Sequence, residues 1–140
     1  MDNRPIGVFD SGVGGLTVVD SLVKSTSSET IYYVGDTARV PYGNKSRERI
    51  QQYSEEIIDW LIKKDCKMVI VACNTASSLA IDYLQKRFSL PIIGVIDPGV
   101  QLAISRTKSQ SIGVIGTHAT IQSNAYGEKL KSIRPKINIF

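Results

Sequence analysis

Cysteine, histidine and long apolar runs are scarce in this sequence of 140 residues. Its two cysteines, Cys66 and Cys73, are too few for a disulfide framework and lack the spacing of a zinc site. No apolar run approaches the roughly 20 residues that a membrane-spanning helix needs. The first residues also lack the basic and apolar segments of a signal peptide. These absences exclude a disulfide scaffold and a membrane protein, and they predict a cytoplasmic protein with no metal site.

Concentrated charge is absent as well. The formal net charge is +4, and the basic residues are scattered along the chain. A nucleic-acid-binding protein would show a basic face or a known recognition module, and neither is visible. With 42% apolar and 21% charged residues, the composition is that of a globular protein without a nucleic-acid partner.

Short apolar runs alternate with segments of helical periodicity. The runs predict strands at 5–9, 31–34, 67–72, 91–96, 111–115 and 136–140. The periodic segments predict helices at 16–24, 75–88, 99–106 and within 119–131, and a long helix that follows Ser46 as its N-cap. Because the strands are apolar on both faces, we expect an α/β fold with a mostly parallel sheet flanked by helices.

The sequence of the first predicted strand resembles a segment late in the chain. The run from Ile6 to Ser11 (IGVFDS) resembles the run from Ile112 to Thr117 (IGVIGT). A duplicated architecture would explain the match, and coincidence is the alternative. Duplication predicts a first α/β lobe at 1–97 and the start of a second at 98–140, truncated at Phe140.

Polar residues follow five of the predicted strands. They are Asp10 and Ser11, Gly35 to Thr37, Cys73 to Thr75, Asp97, and Gly116 and Thr117. In parallel α/β sheets, ligands bind in the crevice beyond the carboxyl ends of the strands. The sequence therefore predicts that these groups converge on one site.

Cys73 is the most reactive group in that set. It closes the apolar run 68–72 and precedes the helix start at Asn74. Backbone N–H groups and the helix dipole at such a position lower the pKa of a thiol, which suits a nucleophile or a proton-transfer base. The alternative is a small buried apolar residue. Cys66 is interpreted as structural and His118, the single histidine, as a surface residue.

The glycine-rich turn 12–15 joins the first strand to the first helix. It lacks the third glycine of a dinucleotide fingerprint, since Thr17 occupies that position, although Asp36 stands where a ribose-binding acid would. The turn is better suited to bring backbone N–H groups close to an anion such as a carboxylate. Asp10 is then a partner for an ammonium group, an acid or base near the thiol, or simply a turn residue, and Ser11 is a ligand or a cap.

Two further pairs are candidate substrate contacts. The segment 40–44 is a turn in which an exposed Tyr42 and the backbone of Gly43 would face a substrate. Asn74 and Thr75 either cap their helix or hold a carboxylate with side-chain and backbone groups.

Together, five segments resemble bacterial glutamate racemases. They are 6–18 (IGVFDSGVGGLTV), 35–43 (GDTARVPYG), 71–77 (VACNTAS), 94–99 (GVIDPG) and 113–117 (GVIGT). The resemblance implies a cofactor-independent enzyme that interconverts L- and D-glutamate and supplies D-glutamate for peptidoglycan. It also implies two similar α/β lobes, each contributing one cysteine to opposite faces of the substrate α-carbon, and it leaves a homodimer open for the full-length protein.

Carried over by position, the resemblance makes Cys73 one of the two proton-transfer groups. It places Asp10 and Ser11 in the substrate and proton-transfer shell. It makes substrate contacts of Tyr42, Gly43, Asn74, Thr75 and, from the second lobe, Thr117. An aspartate or other acidic amino-acid racemase would share this logic, and a phosphate- or nucleotide-binding α/β module is the alternative from another class.

The sequence departs from the family in two respects. The family's second cysteine lies in a Cys-Thr-His segment, which this chain does not contain. The family's closing segment, which returns to the first lobe, is missing as well. We therefore expect this chain alone to be inactive as a racemase.

Overall fold

Strands and helices alternate through residues 2–26 and 28–140, the part of the chain that the computed structural model describes. The strands are β1 (Ile6–Asp10), β2 (Ile31–Gly35), β3 (Met68–Val71), β4 (Ile92–Gly94), β5 (Ser111–Ile112) and β6 (Asn138–Ile139). The helices are α1 (Leu16–Ser25), α2 (Arg47–Lys63), α3 (Asn74–Leu79), α4 (Ile81–Arg87), α5 (Ile96–Arg106), α6 (His118–Gln122) and α7 (Ala125–Ile133). A short 3₁₀ turn, Tyr42–Asn44, precedes α2.

All the described strand pairs are parallel. Strands β2, β1, β3 and β4 form one sheet in that order, and β5 pairs with β6 in a second, two-stranded sheet. Strand β1 lies inside the larger sheet, and all five of its residues are buried. Phe9 faces the main apolar core, whereas Val8 packs on the opposite face with residues of α1. The predicted α/β fold with a parallel sheet flanked by helices is confirmed.

Helix α2 covers one face of the larger sheet. Ser46 caps it as predicted, since Oγ accepts a hydrogen bond from the backbone of Arg49 at 3.3 Å. Ile50, Ile57 and Leu61 are buried, as their helical spacing predicts. Trp60 belongs to the same predicted set but is 45% exposed. It lies at the margin of the apolar stripe, so its ring reaches solvent.

The predicted strand 91–96 is shorter than expected. Strand β4 ends at Gly94, and α5 begins at Ile96 rather than near Gly99. Pro98 fits the first turn of a helix, where a backbone N–H has no helical partner. Asp97 therefore lies on a helix and pairs with Lys129 at 2.8 Å, so its predicted place at a strand end is wrong.

Two predicted helices are each divided. The predicted helix 75–88 breaks at Ala80 into α3 and α4. The carbonyl of Leu79 instead accepts hydrogen bonds from side chains of Arg47 and Gln51, both at 3.3 Å. The predicted helix within 119–131 breaks at Asn124, whose φ is 54°. Asparagine tolerates this left-handed conformation better than most residues.

A second, smaller apolar core begins with α5. Its buried members are Ile96, Val100, Ile104, Leu130 and Ile137. They pack between α5, α7 and the β5–β6 pair, apart from the core beneath the larger sheet. The division into lobes at residues 97 and 98 stays a prediction. No helix in the described residues is both long and apolar enough to cross a membrane.

Two buried serines provide a matched test of the core. Within residues 2–26 and 28–140, the Ser54 hydroxyl is fully buried and has no hydrogen-bond partner. The Ser77 hydroxyl donates to the carbonyl of Val71 at 2.9 Å and accepts from the backbone of Val95 at 3.2 Å. Leaving a buried polar group unsatisfied costs about 1–3 kcal/mol.

We therefore expect the two alanine substitutions to have opposite signs. Ser54→Ala should raise the free energy of unfolding by about 1 kcal/mol, and Ser77→Ala should lower it by about 2 kcal/mol. Urea denaturation followed by circular dichroism measures both. Equal losses of stability in the two variants would contradict the assignment of Ser54 as unsatisfied.

Candidate active site

The ends of β1 and β3 bring Cys73 and Ser11 together. The Cys73 thiol lies 3.5 Å from Ser11 Oγ and is within donating distance of it. Cys73 is the N-cap of α3, and its Sγ accepts from the backbone N–H of Ala76 at 3.5 Å. The predicted position of the thiol, at a strand end and a helix start, is confirmed. The residue is only 4% exposed and belongs to the main apolar core, so burial does not separate a reactive thiol from the alternative of a small buried apolar residue.

Asp10 occupies the glycine-rich turn itself. One carboxylate oxygen, Oδ2, accepts from the backbone N–H groups of Gly12 at 3.2 Å and Gly15 at 3.0 Å. The turn was expected to present such groups to an external anion, but these two bind the chain's own carboxylate. A side chain at Gly15 would place Cβ 2.7 Å from Asp10 Cβ. The close approach therefore requires glycine at position 15, and the two N–H groups hold the Asp10 carboxylate in place.

Tyr42 is buried, and the prediction of an exposed side chain is wrong. It is 1% exposed, and its hydroxyl donates to Asp36 Oδ2 at 2.5 Å. Arg39 Nε donates to the same oxygen at 2.7 Å. Burial, the hydrogen bond and the Asp36 charge raise the pKa of Tyr42. The hydroxyl thus anchors the loop, which leaves the backbone of Tyr42 and Gly43 as the groups able to meet a ligand.

Asp36 is a residue whose role the sequence interpretation missed. The sequence suggested it as a ribose-binding acid and as one of the polar residues at the strand ends, but not as a structural partner, and its carboxylate is bound by Tyr42 and Arg39. Its backbone N–H also donates to the carbonyl of Asp10 at 2.9 Å. Its position directly after β2, one strand away from Asp10, was recognised in the sequence, but its partners Tyr42 and Arg39 were not.

Gly43 and three threonines form the contact between the loop and α6. A Cβ at Gly43 would lie 2.6 Å from Thr117 Cβ. Only glycine at position 43 therefore allows the loop to come this close to Thr117. Thr117 Oγ1 lies 3.0 Å from both Thr75 Oγ1 and Thr120 Oγ1. The predicted residues Gly43, Thr75 and Thr117 therefore lie together. Thr120 was missed, although a second threonine three residues after the N-cap Thr117 was a visible signal.

Asn74 lies at the first position of α3 and is exposed. Its Oδ1 accepts a hydrogen bond from the Tyr126 hydroxyl at 2.5 Å. Tyr126 belongs to α7 and was not among the predicted site residues. Nothing in the local sequence of Tyr126 points to this contact.

The remaining candidates lie elsewhere. Cys66 is buried at the other end of β3, and burial followed by the Asp65 charge raises the pKa of its thiol. His118 is exposed, as predicted. Among the described residues, no three His, Cys, Asp or Glu side chains group as a metal site. The site thus combines one shielded thiol with hydroxyl and amide groups suited to holding a carboxylate.

The Tyr42–Asp36 contact has a measurable pH dependence. Because folding raises the pKa of Tyr42, the stability it contributes is full at neutral pH and is lost as pH rises above the tyrosine reference of about 10. Tyr42→Phe should lower the free energy of unfolding by about 1–2 kcal/mol near pH 7. The variant should also lose less stability than the unmodified protein between roughly pH 9 and roughly pH 11.

Urea denaturation at these pH values measures the effect. Parallel losses of stability in the two proteins would contradict the Tyr42 assignment.

Known proteins share the sequence and the fold of this chain. Residues 6–137 match the Asp/Glu/Hydantoin racemase family. A glutamate racemase from Staphylococcus aureus (strain JH9) is 49% identical over 137 residues, which cover 98% of this chain and 52% of that protein. The chain thus spans about half the length of the curated relatives it matches.

Solved structures show the same fold. Glutamate racemase from Bacillus anthracis superposes with a TM-score of 0.95 at 43% identity, covering 99% of this chain and 52% of that one. The enzyme from Francisella tularensis, in complex with D-glutamate, gives 0.91 at 45% identity, covering 100% and 52%. The family match spans nearly the whole chain and the fold agrees throughout, so the chain belongs to the Asp/Glu/hydantoin racemase family.

Proposed function

We propose that this chain carries one half of a glutamate racemase site, with Cys73 as one of two proton-transfer groups. The observation that carries the proposal is the thiol at the N-cap of α3, 3.5 Å from Ser11 Oγ. The relatives of this chain reported above are glutamate racemases, and the structure of one of them was solved with D-glutamate bound. The D-glutamate formed would serve peptidoglycan synthesis in the cytoplasm.

The chemistry needs a base on one face of the α-carbon. In the thiolate form, Cys73 Sγ takes the α-proton and leaves a carbanion, and a second acid returns a proton to the opposite face. Racemisation runs in both directions when the two groups exchange these roles. The substrate carboxylates would be held by the Asn74 amide, the Thr75 hydroxyl and the Gly43 backbone. Asp10, with Ser11, would meet the ammonium group.

The second acid is not supplied by the chain's other thiol. Cys66 lies at the opposite end of β3 and is buried there. We propose that the second group belongs to the part of the relatives that this chain does not span. The chain alone should then exchange the α-proton of one enantiomer with retention, without interconverting the two.

Deuterium incorporation tests this proposal. The chain is incubated in D₂O separately with L- and D-glutamate, and proton NMR of the α-position is combined with chiral chromatography. We expect deuterium in one enantiomer and no inversion. Inversion that disappears in Cys73→Ala would contradict the half-site. Exchange in neither enantiomer would contradict the proton-transfer role.

Aspartate is the second candidate substrate, since the matched family includes aspartate racemases by its description. Aspartate is one methylene shorter, so the same two carboxylate contacts would require a different spacing. Exchange rates measured with both amino acids under the same conditions distinguish them. A faster exchange of aspartate would reverse the assignment.

A further inference from the structure

The Asn74 side chain is tied to a helix far along the chain. Its Oδ1 accepts from the hydroxyl of Tyr126, 52 residues later, at 2.5 Å. Asn74 itself is exposed at the first position of α3, directly after Cys73. Within residues 2–26 and 28–140, the Asn74 Nδ2 group donates to no protein acceptor. One end of the amide is therefore held and the other is available.

The chemistry of the two ends is different. An asparagine amide has an acceptor oxygen and an NH₂ group with two donors, and a hydrogen-bond partner decides which way it points. A carboxylate ligand needs donors and is repelled by an acceptor oxygen. An amide whose oxygen is already bound presents its donors to such a ligand without the cost of ordering it first.

Tyr126 is itself well anchored. Its ring packs against the smaller apolar core, and its Cε1 lies 3.7 Å from the position a Cβ would take on Gly99 of α5. Burial raises the pKa of Tyr126, so the hydroxyl keeps its proton at neutral pH and remains a donor. The hydrogen bond thus joins a residue of α7 that is packed against the smaller core to the first residue of α3.

We infer that Tyr126 is a positioning residue, whose hydroxyl orients the Asn74 amide so that Nδ2 faces a substrate carboxylate. This inference rests on the proposed function for the identity of the ligand. The orientation of the amide itself is a property of the free protein.

Removal of the single hydroxyl tests the inference. Tyr126→Phe keeps the ring and its packing. Tyr83→Phe is the matched control, because the Tyr83 hydroxyl of α4 also donates to a side-chain oxygen, on Glu55 of α2 at 2.5 Å, and not to Asn74. In ¹⁵N-labelled chain without ligand, the Asn74 side-chain amide pair is assigned by its loss in Asn74→Asp. We expect Tyr126→Phe to shift and broaden this pair and Tyr83→Phe to leave it unchanged.

Glutamate titration supplies the second readout. From backbone amide shifts, Tyr126→Phe should raise the Kd for glutamate roughly tenfold, while Tyr83→Phe keeps the Kd of the unmodified chain. A lower melting temperature with unchanged Kd would overturn the inference and make Tyr126 merely structural. An unshifted Asn74 pair would overturn it as well. If the unmodified chain binds no glutamate, the proposed function fails, and the Asn74 resonances still decide whether Tyr126 orients the amide.

Discussion

Alanine at position 73 should abolish α-proton exchange of glutamate by this chain. The thiol is the proposed base, and general-base groups contribute roughly 10²–10⁴-fold to such steps. Cys73→Ala should therefore reduce deuterium incorporation to the uncatalysed background. The fold should persist, because Sγ makes one sulfur contact to Ser11 and one to the N–H of Ala76.

The chain contains its own matched control. Cys66 is a second buried thiol at the opposite end of β3. Cys66→Ala should keep the exchange rate within about twofold of that of the unmodified chain. The residue lies away from the site, so its replacement should act mainly on stability. Proton NMR in D₂O with both variants at equal concentration measures the difference. Equal loss in the two variants, or retained exchange in Cys73→Ala, would contradict the role of Cys73.

Alanine at position 35 should strongly destabilise the protein. A Cβ on Gly35 would lie 2.4 Å from the carbonyl oxygen of Gly12, which is a backbone atom. That carbonyl cannot simply move, because it accepts from the Tyr33 hydroxyl at 2.8 Å. Overpacking of this kind costs about 1–3 kcal/mol, and we expect Gly35→Ala to lie at the upper end.

Gly113→Ala provides the comparison. A Cβ at Gly113 would meet nothing within 4 Å, so its free energy of unfolding should change by less than about 0.5 kcal/mol. Chemical denaturation of both variants measures the two values. Gly35→Ala should also slow the proposed exchange, because the displaced Gly12 carbonyl belongs to the turn that holds Asp10. Equal stabilities of the two variants would refute the steric argument.

Local features of the fold were predictable because they depend on neighbouring residues. The alternation of apolar runs and periodic segments predicted six strands, and each has a counterpart in the structure. The predicted N-cap Ser46 stands at a helix start, where a short polar side chain satisfies a free N–H group. The breaks at Ala80 and Asn124 were not predictable from periodicity, since the helical pattern continues through both positions.

Contacts at a distance account for the errors at the site. Tyr42 lies in a turn whose composition is typical of exposed loops, yet its hydroxyl is bound to Asp36 and its ring is buried. Asp97 was assigned to the strand ends because the apolar run preceding it is uninterrupted. In the structure, α5 begins at Ile96, so Asp97 lies on a helix and not at a strand end. The Tyr42 error thus comes from a tertiary contact, whereas the Asp97 error comes from a helix that begins three residues earlier than predicted.

The sequence by itself determined the parallel α/β fold and the position of Cys73 at a strand end and a helix start, because apolar periodicity and capping are local. The tertiary structure alone decided the partners: Gly12 and Gly15 for Asp10, Asp36 for Tyr42, and Tyr126 for Asn74. Each of these is a directional hydrogen bond, between 2.5 and 3.2 Å long. Such bonds depend on how packed elements orient side chains, and apolar patterning does not encode that orientation.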